Sequence, residues 1–154
     1  MRTTNKKIPT RATALVVGAG PSGLTALKEL REAGIDAISV DSRTEFGGVF
    51  SPSSNVTYEN LYLTTTNMFM AFSDFPPPDL SVKYWSKKEY HRYLETYVDH
   101  FDLRPSMHLG TSVMKAKLVD GATWHVTLKT LDGATAELTC DHMTVATGAN
   151  HKPY

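Results

Sequence analysis

The sequence predicts an α/β fold built on a parallel β-sheet, and three features predict it. Residues Ala12–Val17 form a short apolar run that ends in glycines, which is typical of a buried parallel strand. Apolar residues then recur at helical spacing from Ser22 to Ala33. Gly34 follows at the position where a residue in the left-handed backbone conformation usually ends an α-helix. Ala37–Val40 predicts a second strand. Together these elements form a right-handed βαβ unit of about 30 residues.

The rest of the chain predicts a long loop, a second helix and an antiparallel β-meander. Residues 42–80 are rich in Gly, Pro, Ser, Asn and Thr and have no sustained period, and loops of this length are usually functional. Ser86 and Glu89 fit a capping box, which predicts a helix over 87–101. The predicted meander strands and the final parallel strand are Ser112–Val119, Thr123–Thr130, Ala134–Thr139 and Met143–Ala146.

Composition and charge limit the classes of function. The chain has 154 residues, of which 41% are hydrophobic, so we expect one domain over 12–154, preceded by a flexible arm over 1–11. Lys plus Arg equals Asp plus Glu at 16 each, so no basic field favours nucleic acid or an anionic membrane. The single Cys140 and the absence of a long apolar stretch predict a cytoplasmic protein. The six histidines lack paired ligand spacing, and no metal site is expected.

The segment Gly18-Ala19-Gly20-Pro21-Ser22-Gly23 follows the first strand and opens the first helix, as the G-x-G-x-x-G dinucleotide fingerprint requires. Gly18 permits the tight turn, Gly20 lets a pyrophosphate approach the backbone, and Gly23 allows close packing of the helix. The helix N-terminus offers N–H groups to phosphates. Asp41 ends the second strand, where a carboxylate accepts hydrogen bonds from ribose hydroxyls and repels a 2′-phosphate. The sequence therefore predicts a Rossmann-type site for FAD or NAD.

Two further glycine features favour FAD over NAD. Gly47-Gly48 resembles the second glycine motif of two-dinucleotide-binding flavoproteins, and the Ala146-Thr147-Gly148 turn is similar to the A-T-G turn that lies beside FAD in those proteins. The resemblance implies FAD as the cofactor. The residues predicted to bind it are Gly18, Gly20, Pro21, Ser22, Gly23, Asp41, Ser42, Arg43, Gly47, Gly48, Val49, Phe50, Val113, Ala146, Thr147 and Gly148.

Among these flavoproteins, disulfide reductases need a cysteine pair that this chain lacks, and amine oxidases usually carry an arginine where Val49 stands. The segment Phe72-Ser73-Asp74-Phe75-Pro76 resembles the F-x-D-F-P segment of the flavin-containing monooxygenases, and the resemblance spans Thr13–Pro153. It implies a three-layer FAD-binding domain, truncated before the NADPH-binding domain. It also implies that the enzyme uses NADPH and O2 to oxygenate a soft nitrogen or sulfur nucleophile, or a ketone.

The chain departs from that family in two ways. Many members place an active-site asparagine where this chain has Thr64, and Asn67, three residues on, is the nearest amide, so Thr64 and Asn67 are the catalytic candidates. The family's NADPH motif should follow Pro153, so we expect this chain alone not to hold the whole catalytic apparatus. The alternatives are a non-catalytic FAD-binding remnant, one subunit of a split enzyme that pairs with a second chain, and, less favoured, an NAD-dependent reductase.

Overall fold

The computed structural model describes residues 6–77 and 79–149, which form one six-stranded sheet with helices. The strands lie in the order β3-β2-β1-β6-β5-β4. The elements are β1 (Arg11–Val17), α1 (Pro21–Glu32), β2 (Ala37–Asp41), α2 (Asn67–Met70), α3 (Lys87–His100), β3 (Met107–Leu109), β4 (Thr111–Val119), β5 (Thr123–Thr130) and β6 (Thr135–Val145), with short 3-10 turns at Gly48–Phe50 and Arg104–Ser106. The predicted α/β class and β-meander are confirmed.

β6 belongs to both halves of the sheet. It pairs in parallel with β1 from Thr139 to Val145, and its first half pairs antiparallel with β5 from Thr135 to Cys140. The prediction of two separate strands here is wrong, because Cys140 and His142 continue the ladder with β1 across the predicted gap. β3 was not predicted from the sequence, since three residues are too short to show a period.

The sheet has a buried apolar cluster on each face of β1. Side chains of β1 alternate between its faces, so Val16 packs with the helical cluster and Leu15 with the meander cluster. The helical cluster includes Leu24, Leu27, Leu94, Tyr97 and Val98, and the meander cluster includes Val126, Leu128, Leu138 and Cys140. Because most of these side chains are fully buried, each contributes about 1.5–3 kcal/mol of hydrophobic free energy. Apolar burial on both faces therefore holds the strand ends where the site forms.

The ends of both long helices follow from local sequence. Pro21 is at the start of α1, where its fixed φ fits and its missing N–H costs nothing. Gly34 follows α1 with φ +75°, which is the left-handed backbone conformation predicted for this residue. Ser86 and Glu89 form the predicted reciprocal capping box at the start of α3.

Residues 8–11, which the sequence placed in a flexible arm, contact the folded part of the chain. Arg11 is the first residue of β1, and the Thr10 carbonyl accepts a hydrogen bond from the Thr139 N–H at 2.9 Å. Ile8 packs against the meander cluster. Apolar contact and strand pairing thus fix this part of the chain, while residues 1–5 lie outside the described residues. Among the helices described, none is long and apolar enough to cross a membrane.

Candidate cofactor-binding site

A cavity of about 760 Å³ opens at the carboxyl ends of β1, β2 and β6, beside the N-terminus of α1. Ligands of open α/β sheets bind at this edge. Most of the predicted cofactor residues line the cavity: Gly18, Gly20, Pro21, Ser22, Asp41, Ser42, Arg43, Gly48, Val49, Val113, Ala146, Thr147 and Gly148. Tertiary structure therefore brings together residues from opposite ends of the chain. Gly23, Gly47 and Phe50 are not among the lining residues.

Gly18 and Gly23 are required by backbone packing. Gly18 has φ +110°, and a Cβ added there would lie 2.4 Å from the Ala146 carbonyl oxygen. A Cβ on Gly23 would lie 2.0 Å from the Gly18 carbonyl oxygen. These distances are far shorter than any van der Waals contact, so both glycines hold α1 close to the strand ends.

Gly20 differs because its open side faces the cavity and the second glycine motif. It is the N-cap residue of α1, and no side chain of the described residues caps that helix end. A Cβ on Gly20 would lie 3.5 Å from the Gly48 Cα, which is ordinary contact. The first N–H groups of α1 therefore remain available to an anion, with the positive end of the helix dipole behind them.

Asp41 is held in place by two backbone amides. Its Oδ2 accepts a hydrogen bond from the Ala19 N–H at 2.7 Å, and its Oδ1 accepts one from the Arg43 N–H at 2.9 Å. An ionised carboxylate has about four acceptor positions, so two remain for other donors. The Arg43 guanidinium in turn donates to the Gly48 carbonyl at 2.8 Å. These contacts tie the end of β2 to both glycine motifs.

The second glycine motif forms a tight turn against the first. The Gly47 N–H donates to the Ala19 carbonyl at 2.8 Å, and both glycines have positive φ, +104° at Gly47 and +59° at Gly48. Phe50 packs edge-on against Tyr90 of α3, with ring centroids 4.8 Å apart. Gly47 and Phe50 therefore support the turn from outside the cavity, while Gly48 and Val49 line it.

The two catalytic candidates lie away from this cavity. Asn67 is fully buried, and its amide donates to the Asp79 and Ser81 carbonyls at 3.2 and 3.0 Å and accepts from the Lys83 N–H at 3.0 Å. These bonds use both N–H groups and the oxygen of the amide, so Asn67 holds the backbone of residues 79–83 against α2, and its catalytic role stays a prediction. Thr64 is exposed, and its catalytic role stays a prediction.

The F-x-D-F-P segment is clamped between α1 and α3. The Tyr93 hydroxyl accepts a hydrogen bond from the Phe72 N–H and donates one to the Phe75 carbonyl, both at 2.7 Å. The Asp74 carboxylate pairs with Lys28 of α1. The pKa of Lys28 is raised mainly by its hydrogen bond to Asp74 and further by its hydrogen bonds to two glutamates of α1. The same hydrogen bond lowers the pKa of Asp74. In this chain the segment therefore holds the long loop against α1 and α3.

Sequence reasoning missed several residues that line the cavity. These are Val17, Val40, Thr111, Ser112, Ala116, Met143, Thr144 and Val145. Thr111, Ser112 and Ala116 belong to β4, which is an edge strand of the sheet and has a register shift between Val113 and Lys115, as at a β-bulge. The rule that ligands bind at strand carboxyl ends would have indicated Val17 and Val40, whereas the β4 residues carry no motif. Among the described residues, no group of three or more His, Cys, Asp or Glu could hold a metal ion.

Comparison with known proteins decides the family. Residues 11–154 match the family model described as flavin-binding monooxygenase-like. The chain belongs to this family. It is 37% identical over 138 residues to a 4-hydroxybenzoate brominase (decarboxylating) of Marinomonas mediterranea, covering 90% of this chain and 26% of that relative. The predicted resemblance to flavin monooxygenases is confirmed.

Solved structures give the same family and fold. Cyclohexanone monooxygenase from Rhodococcus sp. Phi1, bound to NADP+, matches with a TM-score of 0.79 at 28% identity, over 96% of this chain and 28% of that one. The OTEMO complex with FAD and NADP matches with a TM-score of 0.78 at 25% identity, over 92% of this chain and 27% of that one. The chain thus spans about a quarter of the length of these relatives, and the prediction of a flavin-binding segment of a longer enzyme fold is confirmed.

Proposed function

We propose that this chain is the FAD-binding part of a flavin-dependent monooxygenase that uses NADPH and O2. The observation that carries the proposal is the uncapped N-terminus of α1, which faces the cavity where Gly20 meets Gly48. A cofactor with a pyrophosphate fits such a cradle, because free N–H groups and small residues let the phosphates reach the backbone. Family membership and the cofactors named for the structural neighbours support FAD.

The residues that would hold FAD divide by chemistry. Gly20 and Ser22 offer backbone N–H groups to the pyrophosphate, and the remaining acceptor positions of Asp41 suit ribose hydroxyls. Val113 and the Ala146-Thr147-Gly148 turn line the rest of the cavity. Bound FAD supplies the oxidation-reduction chemistry. The chain's own contribution is to bind the cofactor, orient it and exclude water.

The remainder of the activity is proposed from the relatives. The substrate class is a soft nitrogen or sulfur nucleophile, or a ketone, and the NADPH site would be supplied by further sequence or by a second chain. Large apolar side chains lie exposed on the segment between β2 and α3, among them Tyr62, Phe69, Leu80, Val82 and Tyr84. Exposed apolar clusters mark interaction surfaces, which supports a covering polypeptide. We retain residues 12–154 as the FAD-binding domain and the cytoplasm as its location.

A non-catalytic FAD-binding remnant is the alternative. An absorption spectrum of the purified chain with FAD, recorded before and after NADPH is added in air, separates the two. Bleaching of the flavin bands followed by recovery in air would show that this chain accepts electrons from NADPH. Retained flavin that does not bleach would indicate either the remnant or a subunit, and gel filtration with co-expressed candidate chains would distinguish these.

Two glycine variants test whether the N-terminus of α1 binds the pyrophosphate. Gly20→Ala adds a methyl group in ordinary contact with Gly48, so the fold should persist while the pyrophosphate loses its approach to the backbone. Gly23→Ala is the matched variant, because its methyl group would collide with the Gly18 carbonyl and destabilise the fold. We expect Gly20→Ala to keep the wild-type urea midpoint and to bind FAD about tenfold or more weakly. Wild-type FAD affinity in a folded Gly20→Ala protein would contradict the proposal.

A further inference from the structure

His91 of α3 lies directly against the second glycine motif. Its side chain is 12% exposed, and its ring stacks on Phe46 with centroids 5.6 Å apart and an interplanar angle of 25°. Its Nδ1 atom is buried and has no hydrogen-bond partner among the described residues. An unpartnered buried nitrogen is costly, so this placement calls for an explanation.

The unpartnered nitrogen faces Gly47. A Cβ added to Gly47 would lie 2.8 Å from His91 Nδ1 and 3.3 Å from the neighbouring ring carbon. The imidazole therefore fills the space that a side chain at Gly47 would need. Gly47 is bonded through its N–H to the Ala19 carbonyl, and Gly48 meets Gly20 on its other side. A continuous line of contact thus runs from His91 through the glycine pair to the first glycine motif.

We propose that His91 is a positioning residue for the cofactor, because its ring sets how closely the Gly47–Gly48 turn approaches Gly20. This inference rests on the proposed function, since it is the FAD cradle that the turn closes. His91 acts through Gly47 and does not line the cavity itself.

The charges around His91 are consistent with a neutral ring. Burial lowers its pKa, and Lys87 of the same helix acts in the same direction, while Glu95 and Glu45 oppose it. The Glu95 carboxylate lies 3.8 Å from Nε2, on the side of the ring opposite the unpartnered nitrogen. A neutral imidazole can leave Nδ1 unprotonated against the Gly47 backbone, whereas an imidazolium would bury an N–H without an acceptor.

The test is a double-mutant cycle of His91→Ala and Gly47→Ala, measured in FAD affinity and in urea unfolding. The strain of a methyl group at φ +104° is present in both backgrounds and cancels. The clash with the imidazole is present only in the background that keeps His91. Gly47→Ala should therefore weaken FAD binding about threefold less in the His91→Ala background than in the wild type. His91→Ala alone should weaken FAD binding about threefold or more. His91→Asn, which returns a polar atom near the Nδ1 position, should restore it.

The controls separate positioning from general stability. FAD affinity is measured where each variant is fully folded, and His125→Ala, on the exposed face of β5, should match the wild type in both measurements. Wild-type FAD affinity in His91→Ala, or equal losses from Gly47→Ala in both backgrounds, would overturn the role of His91. Absence of FAD binding by the wild type would overturn the proposed function itself. If His91→Ala fails to fold, His91→Ser, which also removes the ring, takes its place in the cycle.

Discussion

Tyr93 and Tyr97 lie one turn apart on the buried face of α3, and removing their hydroxyl groups should have opposite effects. The Tyr93 hydroxyl makes two hydrogen bonds of 2.7 Å to the backbone of the F-x-D-F-P segment. The Tyr97 hydroxyl is buried without a hydrogen-bond partner among the described residues. Tyr93→Phe should therefore destabilise the protein, while Tyr97→Phe should leave its stability unchanged or raise it.

The magnitude follows from the bonds that are lost. Each hydrogen bond contributes about 0.5–1.5 kcal/mol, and the freed Phe72 N–H and Phe75 carbonyl add a desolvation cost because both residues are partly buried. We expect Tyr93→Phe to lower the free energy of unfolding by about 2–3 kcal/mol. Tyr97→Phe removes a group that was desolvated without a bond, so its effect should lie between zero and a gain of about 1 kcal/mol.

Urea unfolding followed by far-ultraviolet circular dichroism measures both variants. The change should appear in the urea midpoint with an unchanged slope, and Tyr93→Phe should lower the thermal midpoint by about 4–12 °C. Burial raises the pKa of Tyr93 to about 12 and that of Tyr97 well above its usual value, so neither phenol ionises near neutral pH. Equal shifts in the two variants would refute the reasoning, since it depends on one hydroxyl being bonded and the other not.

Three further predictions concern the loop and the charged groups. Asn67→Ala should lower the free energy of unfolding by about 2–4 kcal/mol and expose the segment that its amide brackets to limited proteolysis, while exposed Asn60→Ala should change neither. Asp74→Asn should lower the urea midpoint at pH 7. Because Lys28 lowers the pKa of Asp74 from its usual 3.8, this deficit should begin to shrink below about pH 3.8 and disappear as the pH falls through the lowered pKa, where the folded wild type loses the pair. Burial lowers the pKa of His108 below the usual 6.5, so the folded protein resists protonation of this ring and its stability falls as the pH drops below about 6.5. His108→Gln should make the urea midpoint less dependent on pH between about 7.5 and 5.

Local patterns in the sequence were sufficient for much of the fold. The run Ala12–Val17, the glycine turn and the capping box at Ser86 each depend on near neighbours, and the structure has all three. The boundary of β6 could not be predicted in the same way. Its residues Asp141 and His142 are polar, and the strand continues through them because this part of β6 pairs with β1.

Some residues of the site could likewise be predicted from local sequence, and others could not. Gly20 and Asp41 belong to a pattern of strand, glycine turn, helix and carboxylate that together indicates a dinucleotide, and both line the cavity. Asn67 shows the opposite case, because the sequence does not indicate which three groups its amide contacts in the folded chain. The partners are 12 to 16 residues away along the chain, beyond the reach of any local pattern.

The strand, turn and helix of the dinucleotide motif follow from local sequence, because each depends on the stereochemistry of consecutive residues. The sequence also determined the family, since its motifs occur in the family's order and the family model matches residues 11–154. Only the tertiary structure decided which glycines are open to a ligand and which are closed by packing. Gly20 and Gly23 are three residues apart in one motif, yet one faces the cavity and the other meets a carbonyl oxygen at 2.0 Å. That difference comes from how α1, β1 and the end of β6 pack together, which is a property of the three-dimensional contacts.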